Sequence, residues 1–199
     1  MAIAASSAKP AAAATERAPA MPSVLVVMGV SGCGKSTIGT QLAIRLRWEF
    51  EDGDWFHPAR NVEKMHSGHP LTDEDRRPWL DAIGAFIDAS RAAGRRVVIA
   101  CSALKKRYRA VIVGDRSDVR LVYLKGPIEL IARRIAARHE HFMPLELLQS
   151  QFDDLEEPGL DESPIVVSIE PPPRVIVTQV LSTLGAEPRQ AGGSAPVSG

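Results

Sequence analysis

Eight consecutive residues, Gly29-Val30-Ser31-Gly32-Cys33-Gly34-Lys35-Ser36, carry the spacing G-x-x-x-x-G-K-[ST] of a polyphosphate cradle. Glycines at 29, 32 and 34 allow the backbone to wrap tightly, so that its N–H groups, those of Ser31 and Cys33 included, turn inward toward anionic oxygens. Lys35 would bring a point charge to the β and γ phosphates, and the Ser36 hydroxyl would reach Mg²⁺. Thr37 completes the binding set at the start of a helix. A glycine-rich turn with an incidental lysine does not account for Lys and Ser at a helix's first turn.

Further chemistry stands at fixed places downstream. Asp52 and Asp54 are two residues apart, which points both carboxylates the same way from an extended backbone. Asp52 suits support of a metal shell, and Asp54, further from the strand, suits a base for an acceptor hydroxyl; a solvated Asp-Gly turn is the plainer alternative. His57 has three readings: contact with substrate, orientation of Asp54, or a cap for the helix after Pro58. Cys101-Ser102-Ala103-Leu104-Lys105 leads into a cationic stretch, and Lys105 stands where an anion ligand would. The same charges could form a solvated helix face. Arg134 and Arg138, four apart on a helix, suit a lid that brings guanidinium to a transferring phosphate, a role worth about 10³–10⁵ in rate.

These groups need strands and helices to hold them. Val24–Met28, Val97–Cys101, Leu121–Leu124 and Ile165–Ile169 are short apolar runs that read as buried parallel strands, with a weaker one at Trp48–Glu51. Helical periods lie between them: after the loop, from Thr72 to Gly94, and over Ala103–Val113, Pro127–Arg138, Pro144–Leu155 and Arg174–Leu184. Strand–helix alternation of this kind predicts an α/β, doubly wound parallel sheet, whose ligands gather at the carboxyl ends of the strands. The expected domain spans 24–185, with a disordered arm over 1–23 and a disordered tail over 186–199, both rich in Ala, Ser, Gly or Pro.

Bulk properties exclude several classes. The 199 residues hold 24 Lys plus Arg against 24 Asp plus Glu, so no global field favours nucleic acid or a membrane surface. No apolar run reaches the ~20 residues of a spanning helix. Two cysteines, Cys33 and Cys101, make no disulfide framework and fit a reducing cytoplasm. A redox role is open to them, since a helix N-terminus and Lys35 beside Cys33 would lower its thiol pKa; two unpaired thiols are the plainer reading. The third strand does not end in the Asp of motor ATPases, and the Asn-Lys-x-Asp guanine reader of switch GTPases is missing.

Taken together, Met28-Gly-Val-Ser-Gly-Cys-Gly-Lys-Ser-Thr37, Asp52-Gly-Asp-Trp-Phe-His-Pro58, Asn61-Val-Glu-Lys-Met65, Gly68-His-Pro-Leu71, Asp75-Arg-Arg-Pro-Trp-Leu80, Cys101-Ser-Ala-Leu-Lys-Lys106 with Tyr108-Arg109, His141-Phe-Met-Pro144 and Gln151-Phe152 resemble the gluconokinase family of P-loop small-molecule kinases. The similarity runs from about Val24 to Leu184. It implies a five-stranded P-loop kinase sheet of order 2-3-1-4-5 with a helical lid, ATP and Mg²⁺ as cofactors, D-gluconate as substrate phosphorylated at its C6 hydroxyl, and a homodimer. It also implies that Lys35, Asp54 and Arg138 serve catalysis, that Ser36 and Asp52 serve the metal, and that Arg134 and Pro171–Pro173 flank adenine. For the acceptor, Arg60, Lys64, Lys105 and Arg109 are the candidate partners of its carboxylate, and Asp54, His57 and Arg76 those of its hydroxyls. The alternatives are a shikimate- or nucleotide-type kinase of the same fold, and a non-catalytic ATP-binding regulator.

Overall fold

In the computed structural model, which describes residues 21–137 and 145–186, five parallel strands form one sheet in the order 2-3-1-4-5. They are β1 (Val24–Met28), β2 (Glu49–Asp52), β3 (Val97–Ala100), β4 (Val119–Lys125) and β5 (Ile165–Ser168). β1 is central, pairing Val26 with Ile99 of β3 and with Leu121 of β4. All five of its residues are buried, because helices cover the sheet on both faces. Alternation along the strand divides the core. Leu25 and Val27 join one apolar layer; Val24, Val26 and Met28 join the other.

The first layer packs beneath α1 (Lys35–Leu46), α5 (Ile128–Ala136) and α7 (Pro173–Thr183). The second packs beneath α3 (Asp73–Ala92) and α4 (Lys106–Ile112). Two further helices, α2 (Ala59–His66) and α6 (Leu145–Asp153), stand near the carboxyl ends of the strands. Thr72 and Asp75 close a capping box that fixes the entry of α3, with Asp73, Glu74 and Asp75 in its first turn.

The expected elements are all present, and their edges shift for local reasons. The helix expected from Ala103 begins at Lys106, because Ala103 takes a left-handed φ of 46° and Lys105 remains extended. Residues 101–105 therefore form a loop, held against the phosphate loop by the Gly29 N–H donating to the Ser102 carbonyl at 3.3 Å. The strand expected at Leu121–Leu124 extends to Val119–Lys125. The helix expected to reach Arg138 is described to Ala136; Arg138, His139 and His141–Pro144 lie outside the described residues, as do 1–20 of the arm and 187–199 of the tail. Among the described residues, no helix is long and apolar enough to cross a membrane.

Candidate active site

The loop between β1 and α1 has the backbone its glycines allow. Gly32 and Gly34 have φ of 80° and 103°, in the left-handed region where a Cβ is strained. The two differ in what surrounds them. A Cβ on Gly32 would lie 2.7 Å from the Ile135 side chain, whereas the space beside Gly34 is open to 4 Å. Among the described residues no side chain caps α1, so its first N–H groups face that space. An uncapped helix start beside an open, glycine-shaped hollow fits a phosphate group. Lys35 folds over the loop, its Nζ donating to the Val30 carbonyl at 3.2 Å.

The end of β2 meets the start of α1. Ser36 Oγ donates to Asp52 Oδ2 at 2.7 Å, and the Asp54 N–H donates to Asp52 Oδ1 at 3.1 Å. Asp52 thus links the helix start to the 3-10 turn over Gly53–Phe56 that carries Asp54. A hydroxyl and a carboxylate in contact form a hard-oxygen pair that fits Mg²⁺. Among the described residues no group of three or more His, Cys, Asp and Glu side chains gathers around a metal position. The pair therefore suits a cation that draws its remaining ligands from phosphates and water.

A buried glycine fixes where the exposed Asp54 stands. Gly53 is buried so close to the Ala100 carbonyl that a Cβ there would come within 2.6 Å of it, so β2 must leave the sheet through a glycine. The indole N–H of the buried Trp79 donates to the Gly53 carbonyl at 2.6 Å. Asp54 projects from this turn. Protein atoms crowding its carboxyl push its pKa up, the negative Asp52 adds to this, and Lys35 opposes both. The result is a more basic carboxylate within the field of the phosphate-loop lysine.

His57 stacks on Trp79, ring centroids 4.3 Å apart and planes 11° from parallel. Desolvation first and the Arg76 charge second bring its pKa down to about 4, so the ring is neutral at neutral pH. Its Nδ1 is buried without a hydrogen-bond partner among the described residues.

The cations predicted for the acceptor are distributed unequally. Lys105 Nζ lies 2.9 Å from Asp154 and 3.7 Å from Asp73, and the hydrogen bond to Asp154 foremost raises its pKa. Arg76 donates to the Tyr108 hydroxyl at 3.4 Å, and Tyr108 in turn donates to Asp73. Arg107 also pairs with Asp73. Lys64 is bound to Asp75 at 2.6 Å, where it joins α2 to the cap of α3; that bond, then the Thr72 backbone, holds the Asp75 pKa down to about 2. Arg60 is exposed and makes none of the ion pairs found among the described residues.

The structure does not bring Arg109 to this group. Its side chain is 1 % exposed, forms a two-pronged pair with Glu162 at 2.5 and 2.8 Å, and donates to the Ala103 and Leu104 carbonyls at 3.1 and 2.9 Å. It braces the 101–105 loop from inside, with four hydrogen bonds engaging all three of its nitrogens. A cavity of about 420 Å³ behind it, between α4 and the start of β4, is lined by Lys106 and Arg116, which are paired to Asp161 and Asp88.

On the far side of the phosphate loop, Arg134 donates to the Ile169 carbonyl at 2.6 Å, joining α5 to the segment that leads to Pro171–Pro173. Residues to which sequence reasoning gave no role also appear. Gln151 of α6 accepts a hydrogen bond from the Ser31 N–H at 2.7 Å, and Tyr108, Asp73 and Asp154 organise the cations. The partners of Gln151 and of Lys105 are 120 and 49 residues away in the chain, beyond any local pattern. Neither cysteine has the depressed thiol pKa expected for a redox role. Burial pushes the Cys33 thiol up and that of Cys101 to about 12, against the pull of Lys35, and the two belong to opposite core layers.

Comparison with known proteins gives a consistent family. Residues 31–184 match the shikimate kinase family. A gluconokinase from Gluconobacter oxydans is 46% identical over 166 residues, covering 83% of this chain and 93% of that protein. The crystal structure of a gluconokinase from Sinorhizobium meliloti superposes with a TM-score of 0.76 at 42% identity, over 83% of this chain and 93% of that one. An unliganded sugar kinase from Janibacter sp. superposes with a TM-score of 0.78 at 43% identity, over 84% and 96%.

Proposed function

The chain belongs to the gluconokinase family of P-loop kinases, and from that membership and its site we infer that it phosphorylates D-gluconate with ATP, at the C6 hydroxyl, to give 6-phosphogluconate. The observation that carries the reading is the junction of Ser36, Asp52 and Asp54 beside the phosphate loop. It sets a carboxylate for an incoming hydroxyl beside the hollow that suits a terminal phosphate.

Mg²⁺, when bound with ATP, supplies charge neutralisation on the phosphates. The chain's own residues do the rest. The Gly32–Ser36 backbone binds phosphate oxygens, and Lys35 leaves the Val30 carbonyl to meet negative charge there. Asp54 accepts a hydrogen bond from the acceptor hydroxyl and takes its proton late, since the hydroxyl is a far weaker acid. Positioning and charge stabilisation carry most of the rate. His57, held neutral on Trp79, reads a hydroxyl through hydrogen bonding without adding charge. Lys105, with Arg76 behind it on Tyr108, faces the acceptor carboxylate, and Arg60 is the other available cation. Arg134 flanks adenine with Pro171–Pro173, and Arg138 serves the transferring phosphate from the lid. A homodimer working in the cytoplasm completes the proposal.

The test is a coupled assay of ADP release with Mg²⁺-ATP and, separately, gluconate, shikimate and nucleoside monophosphates, with the product phosphate located by NMR. Release with gluconate alone and phosphate on C6 is the expected result. The match to the shikimate kinase family makes shikimate the sharpest rival: turnover with it would replace gluconate. Nucleotide binding without acceptor-dependent release would identify a regulator.

A further inference from the structure

The basic run after β3 is wrapped by an acidic segment that follows α6. The Glu156 N–H donates to the Leu104 carbonyl at 3.0 Å, and Glu156 Oε2 accepts from the Lys106 N–H at 2.6 Å. These two bonds fasten the backbone on either side of Lys105. Further along the segment, Asp161 pairs with Lys106 and Glu162 with Arg109. Asp154 differs from those carboxylates in its partner. It pairs with Lys105, the cation that faces the acceptor in the proposed assignment.

Asp154 and Asp73 both stand near the Lys105 ammonium, at 2.9 and 3.7 Å, and they are not equivalent. Asp73 is also held by Tyr108 and Arg107, in the first turn of α3. Among the described residues, the Asp154 carboxylate pairs with Lys105 alone. Its side chain is 37 % exposed, so solutes can reach the pair. The Glu156 clamp already fixes the backbone around Lys105. What Asp154 adds is a negative charge on the ammonium.

A carboxylate 2.9 Å from an ammonium stands where the carboxylate of an acceptor would. An incoming acid must either displace Asp154 or share the ammonium with it. Displacement gives up an existing ion pair, and sharing brings two negative groups close together. Both oppose the acceptor, so the sign of the effect does not depend on which occurs. A cation that is engaged elsewhere binds with an affinity reduced by the fraction of time it is available.

We propose that Asp154 sets the acceptor affinity of this site: its carboxylate holds the place on Lys105 that the acceptor's carboxylate takes. The ligand class is a small carboxylic acid, and the inference rests on the reading of Lys105 as the cation for it. Asp154 acts through Lys105 rather than on the reacting atoms.

Steady-state turnover of the full chain with Mg²⁺-ATP and gluconate tests this in Asp154→Asn, which keeps an oxygen acceptor for the ammonium and removes the charge. Asp161→Asn is the control, since it removes the same charge from the neighbouring Lys106 pair. The gluconate KM should fall about three- to fivefold in Asp154→Asn, the worth of a partly exposed ion pair, and match the wild type in Asp161→Asn. The gain should shrink as ionic strength rises from about 0.05 M to about 0.5 M, because salt screens the wild-type pair. An unchanged gluconate KM in Asp154→Asn overturns the proposal. So does a raised KM, which would make Asp154 a support that orients the ammonium. An equal fall in Asp161→Asn would trace the gain to the charge of the whole segment, and a gain indifferent to salt would trace it to altered packing; either result also overturns it. If the wild type does not turn over gluconate, the acceptor assignment fails and this inference falls with it. Wild-type turnover without a gain in the variant removes the inference alone.

Discussion

The proposed phosphate end of the site is made of backbone, and the proposed acceptor end is made of charged side chains. At the first, left-handed glycines, an uncapped helix start and one lysine resting on a carbonyl leave the first amides of α1 open. At the second, Lys105, Arg107 and Arg76 gather around Tyr108, and the carboxylates of Asp73 and Asp154 sit among them. The difference follows from the ligands. A phosphate is recognised by N–H groups that any sequence supplies once the path is right. A small polyhydroxy acid needs its charge and its hydroxyls met individually, and cations held ready for it must meanwhile be neutralised by internal partners. In the proposed assignment, acceptor specificity rests on residues that already have other bonds to exchange.

This contrast can be broken at either end. The largest expected effect is at their junction: Asp54→Asn should lower kcat by about 10²–10⁴, the range for a positioned proton acceptor, with ADP affinity nearly unchanged. Near-normal turnover would remove Asp54 from that role. At the backbone end, Gly32→Ala combines a strained φ with a Cβ 2.7 Å from Ile135, and should weaken ADP binding more than tenfold in a titration. An unaffected Kd would mean that the loop does not need this conformation.

At the side-chain end, paired variants separate bracing from binding. Arg109→Met strands Glu162 in a pair that is nearly buried, and should cost about 3–5 kcal/mol in denaturant unfolding. Lys105→Met should leave stability within about 1 kcal/mol, as its partners are partly exposed, and raise the gluconate KM. The reverse pattern would exchange their roles. The smallest effect concerns His57. Its pKa falls from 6.5 to about 4 on folding, so below pH 6.5 the unfolded chain takes up a proton that the folded chain refuses. Stability should fall as pH drops from about 6.5 to about 4 and then level off with respect to this group. Thermal midpoints across that window should show a shallower slope in His57→Gln, and an identical slope would assign the loss to other groups.

The phosphate loop was legible because its spacing is local and its neighbours are a strand and a helix that periodicity reveals. Asp52 and Asp54 were legible for the same reason, being two residues apart at a strand's end. The basic run after the third strand was not. Sequence placed Lys105 and Arg109 together as anion ligands, yet the left-handed Ala103 delays the helix, and Arg109 turns inward to Glu162. Burial of a guanidinium depends on a carboxylate 53 residues away, and spacing carries no record of it. The lowered pKa expected for Cys33 failed likewise: helix start and Lys35 were visible, but the desolvation that outweighs them was not.

The sequence by itself determined the parallel alternating fold, the polyphosphate loop and the acidic pair, since each arises from hydrophobic period or from residues within one turn of each other. Only the tertiary structure decided which cations stay available, why His57 is neutral, and that Gln151 reaches the Ser31 peptide. Those depend on desolvation and on hydrogen bonds between distant segments, energies that exist only once the sheet has brought the segments together.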